Sequence, residues 1–411
     1  MKFDIGTTVY RNNAKQRNLK NLKNWFLYLA FLSLAIVSSY GAFLSFDVPF
    51  PAILIFLVFM ACYSLCCINV KIKLTYIPAL LLVRLLLFCI NCVYVGASTE
   101  TLIEQITITV CSIFVFLCGY NFLSGDKKAL KTVLISFSFV TSIQIILSVI
   151  ANHMQDKAGI VAGIGLSNYA ACFLLLCVSY LLFVKTNILE KLVIVLDIIA
   201  LLVTQSFGAY LALFVVVIVF LIKKINWYSR KVRRNVLALL ILAVIAVIVF
   251  FHTSLGAGAW NKIKEKILYL LQGNWKNFGS SRGELFEFSW ENIKRHLIFG
   301  TIENYNPAIA ETSALSRWQG FRTHNLLLES LLLYGIVGTL INVAILFYIW
   351  SRGKKGLKAK SEQYAFIPCF VAILIHGMLE PAIFTLHFEI FLWLIIGIFM
   401  GGGRKPRKSA E

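Results

Sequence analysis

An all-α polytopic integral membrane protein is the fold class this sequence predicts, and three observations predict it. Of 411 residues, 59% are hydrophobic and only 14% charged, whereas a soluble domain carries about 25% charged residues. The apolar residues fall in runs close to the ~20 that a helix needs to cross a bilayer. The basic residues fall in short blocks between alternate runs. A net charge of +20 would suggest nucleic acid in a soluble protein; in blocks between apolar runs it sets topology instead, so no nucleic-acid partner is expected.

Taken in order, residues 1–24 form a basic tail with Lys2, Arg11, Lys15, Arg17, Lys20 and Lys23 against the single acid Asp4, which places this end in the cytoplasm. Residues 25–252 carry transmembrane helices one to nine of about twelve. Residues 253–322 form a large external loop with amphipathic helices, 323–403 carry the last three spans, and 404–411 form a second cytoplasmic basic tail. Charge supports the count: Lys71 and Lys73, Lys127 to Lys131, Lys185 and Lys191, Lys223 to Arg234, and Arg352 to Lys360 mark alternate connections. The short external connections hold one Lys, Lys157. The span at 188–204 is short and contains Asp197. The first apolar run, starting near Trp25, is long enough to span, so it reads as a helix and not as a cleavable leader. The ten cysteines lie in or beside apolar runs and read as small buried hydrophobes.

Within the external loop, Asn261 to Leu271 alternates Lys262, Lys264 and Lys266 with Ile263, Ile267, Leu268 and Leu271, the pattern of a helix lying on the membrane surface. Ser281 to Gly300 reads as a second helix. Ser281 and Glu284 have capping-box spacing, and Phe286, Trp290, Ile293 and Leu297 recur at helical intervals.

Chemistry is best sought at the two ends of the stretch from Gly279 to Gly335. Arg282 falls in the first turn of the second helix, where a cation is disfavoured by the helix dipole. Either it pairs with Glu284 or Glu287, or it helps the helix N-terminus hold an anion. Arg322-Thr323-His324-Asn325 opens the tenth span, expected at 323–350 with its positive end facing outward. There Arg322, His324 and free N–H groups could meet a diphosphate, while Arg317 and Trp318 add a cation and an aromatic face for a sugar. A purely structural His324 is the alternative. Arg84 lies within an apolar run, where a charge is functional or paired. His376 and Glu380 share a helix face at an outer end. Asn168 caps or packs the start of the sixth span, or belongs to the site. No nucleotide loop, H-E-x-x-H or G-x-S-x-G is present, and no metal ligands or cofactor are expected.

These residues carry a resemblance. A polytopic chain with one large late external loop, Ser281-Arg282 leading to Trp290, and His324-Asn325 opening a span with Gly335 and Gly338 resembles the O-antigen ligase and polymerase (Wzy) family. Gly163 to Ala170 is similar to that family's entry to a middle span. Thr204 to Ala209 resembles its Ser-Arg-Gly-Ala motif, with Phe207 where Arg is common. The resemblance implies a GT-C-like, metal-independent glycosyltransferase of the cell membrane, acting at the external face on undecaprenyl-diphosphate-linked oligosaccharide. In that setting Arg282, Arg322, Arg317 and Arg84 would bind diphosphate, Trp318, Trp290 and Asn325 would bind sugar, and His324, Arg282 and Glu380 would be catalytic, with His324 as base or phosphate ligand. The expected function is an O-antigen or capsular polysaccharide polymerase. A ligase transferring the glycan to lipid A-core or protein is the alternative, and a transporter using Arg84 or Asp197 is another. Partners would be membrane lipid and a chain-length regulator and flippase of the same pathway.

Overall fold

The computed structural model describes residues 21–35, 50–67, 72–96, 99–125, 127–151, 161–162, 165–224, 234, 245, 248–249, 252, 254–273, 282–302, 322–357, 365–380 and 386–401. Helix follows helix: α1 (residues 21–35), α2 (Phe50–Leu65), α3 (Tyr76–Val95), α4 (Thr99–Asn121), α5 (Lys127–Ala151), α6 (Ser167–Leu181), α7 (Ile188–Val203) and α8 (Phe207–Lys224). Then come α9 (Ser254–Leu271), α10 (Arg282–Arg295), α11 (Leu326–Leu357), α12 (Phe366–Gly377) and α13 (Leu386–Gly401). A minimal antiparallel pair, β1 (Val161–Ala162) and β2 (Gly165–Leu166), leads into α6.

The chain is a helical integral membrane protein. Tyr76–Val95, Thr99–Asn121, Lys128–Ala151 and Leu326–Arg352 are long and apolar enough to cross a bilayer, and α2, α6, α8, α12 and α13 contain shorter apolar stretches. α3 leaves Leu82, Leu86, Ile90 and Val93 on the surface, as a lipid-facing helix should. The segment expected as the ninth crossing, 234–252, falls almost entirely outside the described residues.

α6 is the centre of the bundle. Ser167 and every residue from Ala170 to Leu181 are buried, so this helix is covered on all sides. It packs against α5, α7, α8 and α12. Phe31, Phe137, Phe173 and Phe391, from α1, α5, α6 and α13, form an aromatic cluster with ring centroids 5.1–6.2 Å apart.

Buried charge is paired or hydrogen-bonded. Arg84 on α3 meets Glu389 on α13 at 2.5 Å, both at or below 4% exposure. Trp393 Nε1 donates to the same carboxylate oxygen at 3.2 Å, and the Arg84 guanidinium lies 5.3 Å from the Tyr334 ring centre. Asp197 accepts from Ser142 Oγ at 2.7 Å between α7 and α5.

The run expected as the tenth span, 323–350, is sharply bent. Gly335 breaks α11 with φ 60° and ψ −165°. Ser330 Oγ and Thr339 Oγ1 are 3.0 Å apart, and Asn342 Nδ2 donates to Ser330 Oγ at 3.0 Å. Twelve residues along a straight α-helix cover about 18 Å, so the short arm, 326–334, runs back beside the long arm, 336–357. The turn after α10 fills the bend. Thr301 N donates to Leu332 O at 2.7 Å, Ile336 N to Leu297 O at 2.9 Å and Val337 N to Ile298 O at 3.2 Å. From the last turns of α3, Asn91 Nδ2 donates to Phe299 O at 2.8 Å and to Gly300 O at 3.1 Å. Irregular backbone inside a membrane protein has to be satisfied by protein, and here it is.

The fit leaves no room for side chains. A Cβ on Gly335 would lie 2.3 Å from Ile298 O, and one on Gly300 2.6 Å from Leu332 O. The Gly335 backbone conformation is itself accessible essentially to glycine alone. Gly335→Ala is therefore expected to lower stability by at least about 1–3 kcal/mol, read as a lower midpoint for thermal unfolding in detergent. An unchanged midpoint would show that the bend is not held as described.

Candidate functional site

The site is assembled from three chain segments: the residues before α11, the residues after α12 and the start of α6. Asn325 starts α11 by accepting from Leu327 N at 3.0 Å and Leu328 N at 3.1 Å through Oδ1, the satisfaction that helix-opening N–H groups require. Its Nδ2 donates to Met378 O at 3.0 Å, tying the start of α11 to the end of α12. Glu329, one turn into the helix and 2% exposed, reaches back. One of its oxygens accepts from both Thr323 N and Thr323 Oγ1 at 2.8 Å. The other lies 3.7 Å from Arg322 Nη1. A carboxylate in the first turn also suits the helix dipole.

His324 stands in left-handed backbone conformation, φ 51°, unusual for a residue with a side chain. Its Nδ1 is 2.8 Å from Glu380 Oε2. The other oxygen of Glu380 accepts from Asn168 Nδ2 at 2.7 Å. Glu380 is thus held on both oxygens, with a side chain 10% exposed against 33% for His324. With the carboxylate ionised, His324 Nδ1–H donates to it, and that fixes Nε2 as the ring nitrogen with the lone pair. Arg322 remains 41% exposed beside this pair. Tyr169, next to Asn168, is in electrostatic reach of Arg322, Glu380 and Glu329.

A fourth segment borders the site. A Cβ on Gly208 would touch Leu379 Cβ at 3.3 Å and His376 Cδ2 at 3.4 Å. Gly208, at the start of α8, therefore lies against the end of α12 that presents Glu380; just before it Gln205 has φ 54° and Phe207 is exposed.

The residues expected from the sequence divide into groups. His324, Glu380, Asn325 and Arg322 come together. Arg84 is engaged by Glu389, although Tyr334 is in electrostatic reach of both the Arg84–Glu389 and the Arg322–Glu329 pairs. Arg317 and Trp318 lie outside the described residues. Arg282 is the first residue of α10. The helix ends at Arg295 and gives way to the turn that fills the α11 bend, instead of continuing to Gly300. The stripe assigned to α10 is corrected in part: Ile293 is buried as expected, but the residues buried with it are Leu285, Phe288, Ser289 and Asn292, while Trp290 and Leu297 are 44% and 38% exposed. Two polar residues, Ser289 and Asn292, belong to the covered face, so counting apolar residues alone misplaced it.

Glu329, Glu389 and Asn91 were not singled out from the sequence. The rule that an ionisable group in an apolar run needs a partner, applied to all such residues and not to Arg84 alone, finds both glutamates. Among the described residues no group of three His, Cys, Asp or Glu side chains could hold a metal ion.

Residues 192–343 match the Wzy_C family model, described as O-Antigen ligase. Over this segment the chain is similar to the O-antigen ligase family. No curated protein matches it. The matched segment runs from α7 through the bend of α11. It contains Thr204 to Gly208, Arg282, Arg322 and His324, whereas Asn168 and Glu380 reach the site from outside it.

Thr323 offers a check on this architecture that does not require an activity assay. Thr323→Val removes a hydroxyl donor from the buried Glu329 carboxylate, a charged hydrogen bond whose loss costs about 1.5–3 kcal/mol. Thr323→Ser, which keeps the donor, is expected to lie near the wild type in thermal unfolding. Equal behaviour of the two variants would contradict the Glu329 clamp.

Proposed function

We propose that the chain is a glycosyltransferase that takes a glycan from an undecaprenyl-diphosphate carrier at the outer face of the cell membrane, and specifically a polymerase joining lipid-linked repeat units. The observation that carries this reading is the His324–Glu380 pair beside a partly exposed Arg322, in a membrane protein similar in part to the O-antigen ligase family. Transfer breaks the bond between the anomeric carbon and the diphosphate oxygen and forms one to the acceptor hydroxyl oxygen. The acceptor proton leaves as the new bond forms. His324 Nε2 accepts it, and Glu380, aligned by Asn168, holds the ring and stabilises the imidazolium. The two residues thus act as base and orienter, not as alternative bases. Negative charge on the departing diphosphate falls to Arg322 and to Arg282 at the start of α10, fixed cations doing work that needs no proton transfer. Trp290, Trp318 and Asn325 remain candidates for sugar contacts.

The same reading takes both basic tails as cytoplasmic, about twelve crossings, a GT-C-like architecture, the external loop at 253–322, and a flippase and chain-length regulator as partners. The ligase reading has one specific support, the description of the matched family model. Both readings use the same donor and the same bond cleavage, and differ only in acceptor.

His324→Ala is expected to lower transfer by about 10²–10⁴-fold, and Arg322→Ala or Arg282→Ala by about 10²–10³-fold, at normal protein levels. Glu380→Gln should lower turnover while leaving donor affinity nearly unchanged. The measurement is elongation of lipid-linked oligosaccharide by purified protein in liposomes without an ion gradient. Movement of the lipid without bond formation would favour a transporter. Deleting the gene separates the two transferase readings: single repeats left on the carrier identify a polymerase, and long chains left unattached identify a ligase.

A further inference from the structure

The turn that fills the bend of α11 has a second face. Gly300, Thr301 and Ile302 are buried, whereas Leu297, Ile298 and Phe299 just before them are exposed, Ile298 at 59%. Three consecutive large apolar side chains on a surface call for apolar surroundings.

Their depth in the bundle follows from α3. Helices α3 and α4 are each long and apolar enough to cross a bilayer and are joined through residues 96–98, so this end of α3 marks one membrane surface. Asn91 holds Phe299 O and Gly300 O, and it precedes Val95 by about 6 Å along the helix. Ile302 packs with Phe88 and Cys92, and Phe88 lies about 10 Å from the same end. The turn thus sits at the depth of interfacial elements, about 5–10 Å into the leaflet. Its exposed residues continue the stripe of Leu82, Leu86, Ile90 and Val93 that α3 presents to lipid. Beside it, Tyr94 meets His296 edge-on, with ring centres 6.4 Å apart.

Backbone at such a depth has to be satisfied by protein. Leu297 O and Ile298 O accept from Ile336 N and Val337 N, and Phe299 O and Gly300 O from Asn91. These successive carbonyls are withdrawn from solvent, which a loop in water would not require. About one turn back, Lys294 and Arg295 are exposed. Lys294 is paired with Glu291 in a half-exposed contact between residues three apart on the helix, a kind of pair that contributes little. Cations followed by apolar side chains have the layering of an anionic lipid, phosphate over acyl chain.

We infer that the turn after α10 is a membrane anchor: Leu297, Ile298 and Phe299 enter the acyl layer at this end of α3, and Lys294 and Arg295 hold anionic phospholipid headgroups. That leaflet is the outer one in the topology proposed above. The stretch expected as an external loop, 253–322, is then tied to the bilayer part-way along, and lipid supports the joint where α10 meets α11. The inference needs neither the donor nor the transfer reaction.

Photocrosslinking of the full chain in nanodiscs of equal parts phosphatidylglycerol and phosphatidylcholine tests it. Benzoylphenylalanine in place of Ile298 or Phe299 should capture phospholipid, identified by its added mass, with phosphatidylglycerol preferred by about fivefold for each basic residue engaged. The Lys294→Gln/Arg295→Gln double variant should still capture lipid, but both lipids equally. Because the ratio is read within one sample, a lower yield of folded protein does not alter it. Capture of no lipid, or of a second copy of the chain in its place, would overturn the insertion. A phosphatidylglycerol preference unchanged in the double variant would overturn the headgroup assignment.

Discussion

The backbone hydrogen bonds between the turn at 297–302 and the bend of α11 are the constraint on which the rest of the site depends. A helix broken at Gly335 leaves donors and acceptors exposed inside a membrane protein, where water does not satisfy them at modest cost. Leu297 O, Ile298 O, Thr301 N and Ile302 N supply the missing partners. Because the turn is also the end of α10, the two helices that begin with Arg282 and just after His324 finish at one joint. Asn91 pins that joint to α3 through two carbonyl oxygens. The geometry of the candidate residues is thus set by a junction of hydrogen-bonded backbone between the turn at 297–302 and the bend of α11.

The joint explains where the site lies. Had α11 been straight, Arg322 and His324 would stand beyond the end of a long helix. With the short arm turned back, they lie alongside the long arm, within reach of α12 and α6. Glu380 can then be shared between His324 and Asn168. A carboxylate with both oxygens engaged is well ordered, and ordering the imidazole through Nδ1 is what a proton-accepting Nε2 requires. Left-handed backbone at His324 is the local cost of aiming the ring at Glu380, and such strain persists only where surrounding contacts over-determine it. Thr323, clamped twice by Glu329, and Asn325, capping the helix, are those contacts.

Much of this was legible in the sequence. Apolar run length and the alternation of basic connections led to a helical membrane protein, and a cation and a histidine at a helix start pointed to His324 and Arg322. Glu380 was legible as the outer end of a helix sharing a face with His376. The fold-back was not. Gly335 and Gly338 in an apolar run read equally well as packing glycines, because the partner that makes Gly335 a break, the turn at 297–302, is a tertiary contact more than thirty residues away. The α10 stripe slipped by one residue for a related reason: Ser289 back-bonds to Leu285 O at 2.7 Å within the helix, so a polar side chain could be buried without looking buried in a hydrophobicity pattern. Glu329 and Glu389 were missed because acids within apolar runs are conspicuous only when their counter-charges are sought across the chain.

Electrostatics give the remaining reason for this arrangement. Two Arg–Glu pairs lie in reach of Tyr334, and they differ in burial. Arg84 and Glu389 are in contact and covered, so their charges cancel locally, and removing one would leave the other stranded at a cost of about 3–5 kcal/mol. Arg322 and Glu329 are 3.7 Å apart, with the carboxylate covered and the guanidinium partly exposed. Glu329 is further satisfied by Thr323, so it does not depend on Arg322 for its hydrogen bonds. The guanidinium can therefore turn to an incoming anion without stranding a buried carboxylate. A pair built for stability alone would resemble Arg84–Glu389; the looser pair is the one that can exchange its partner for another anion.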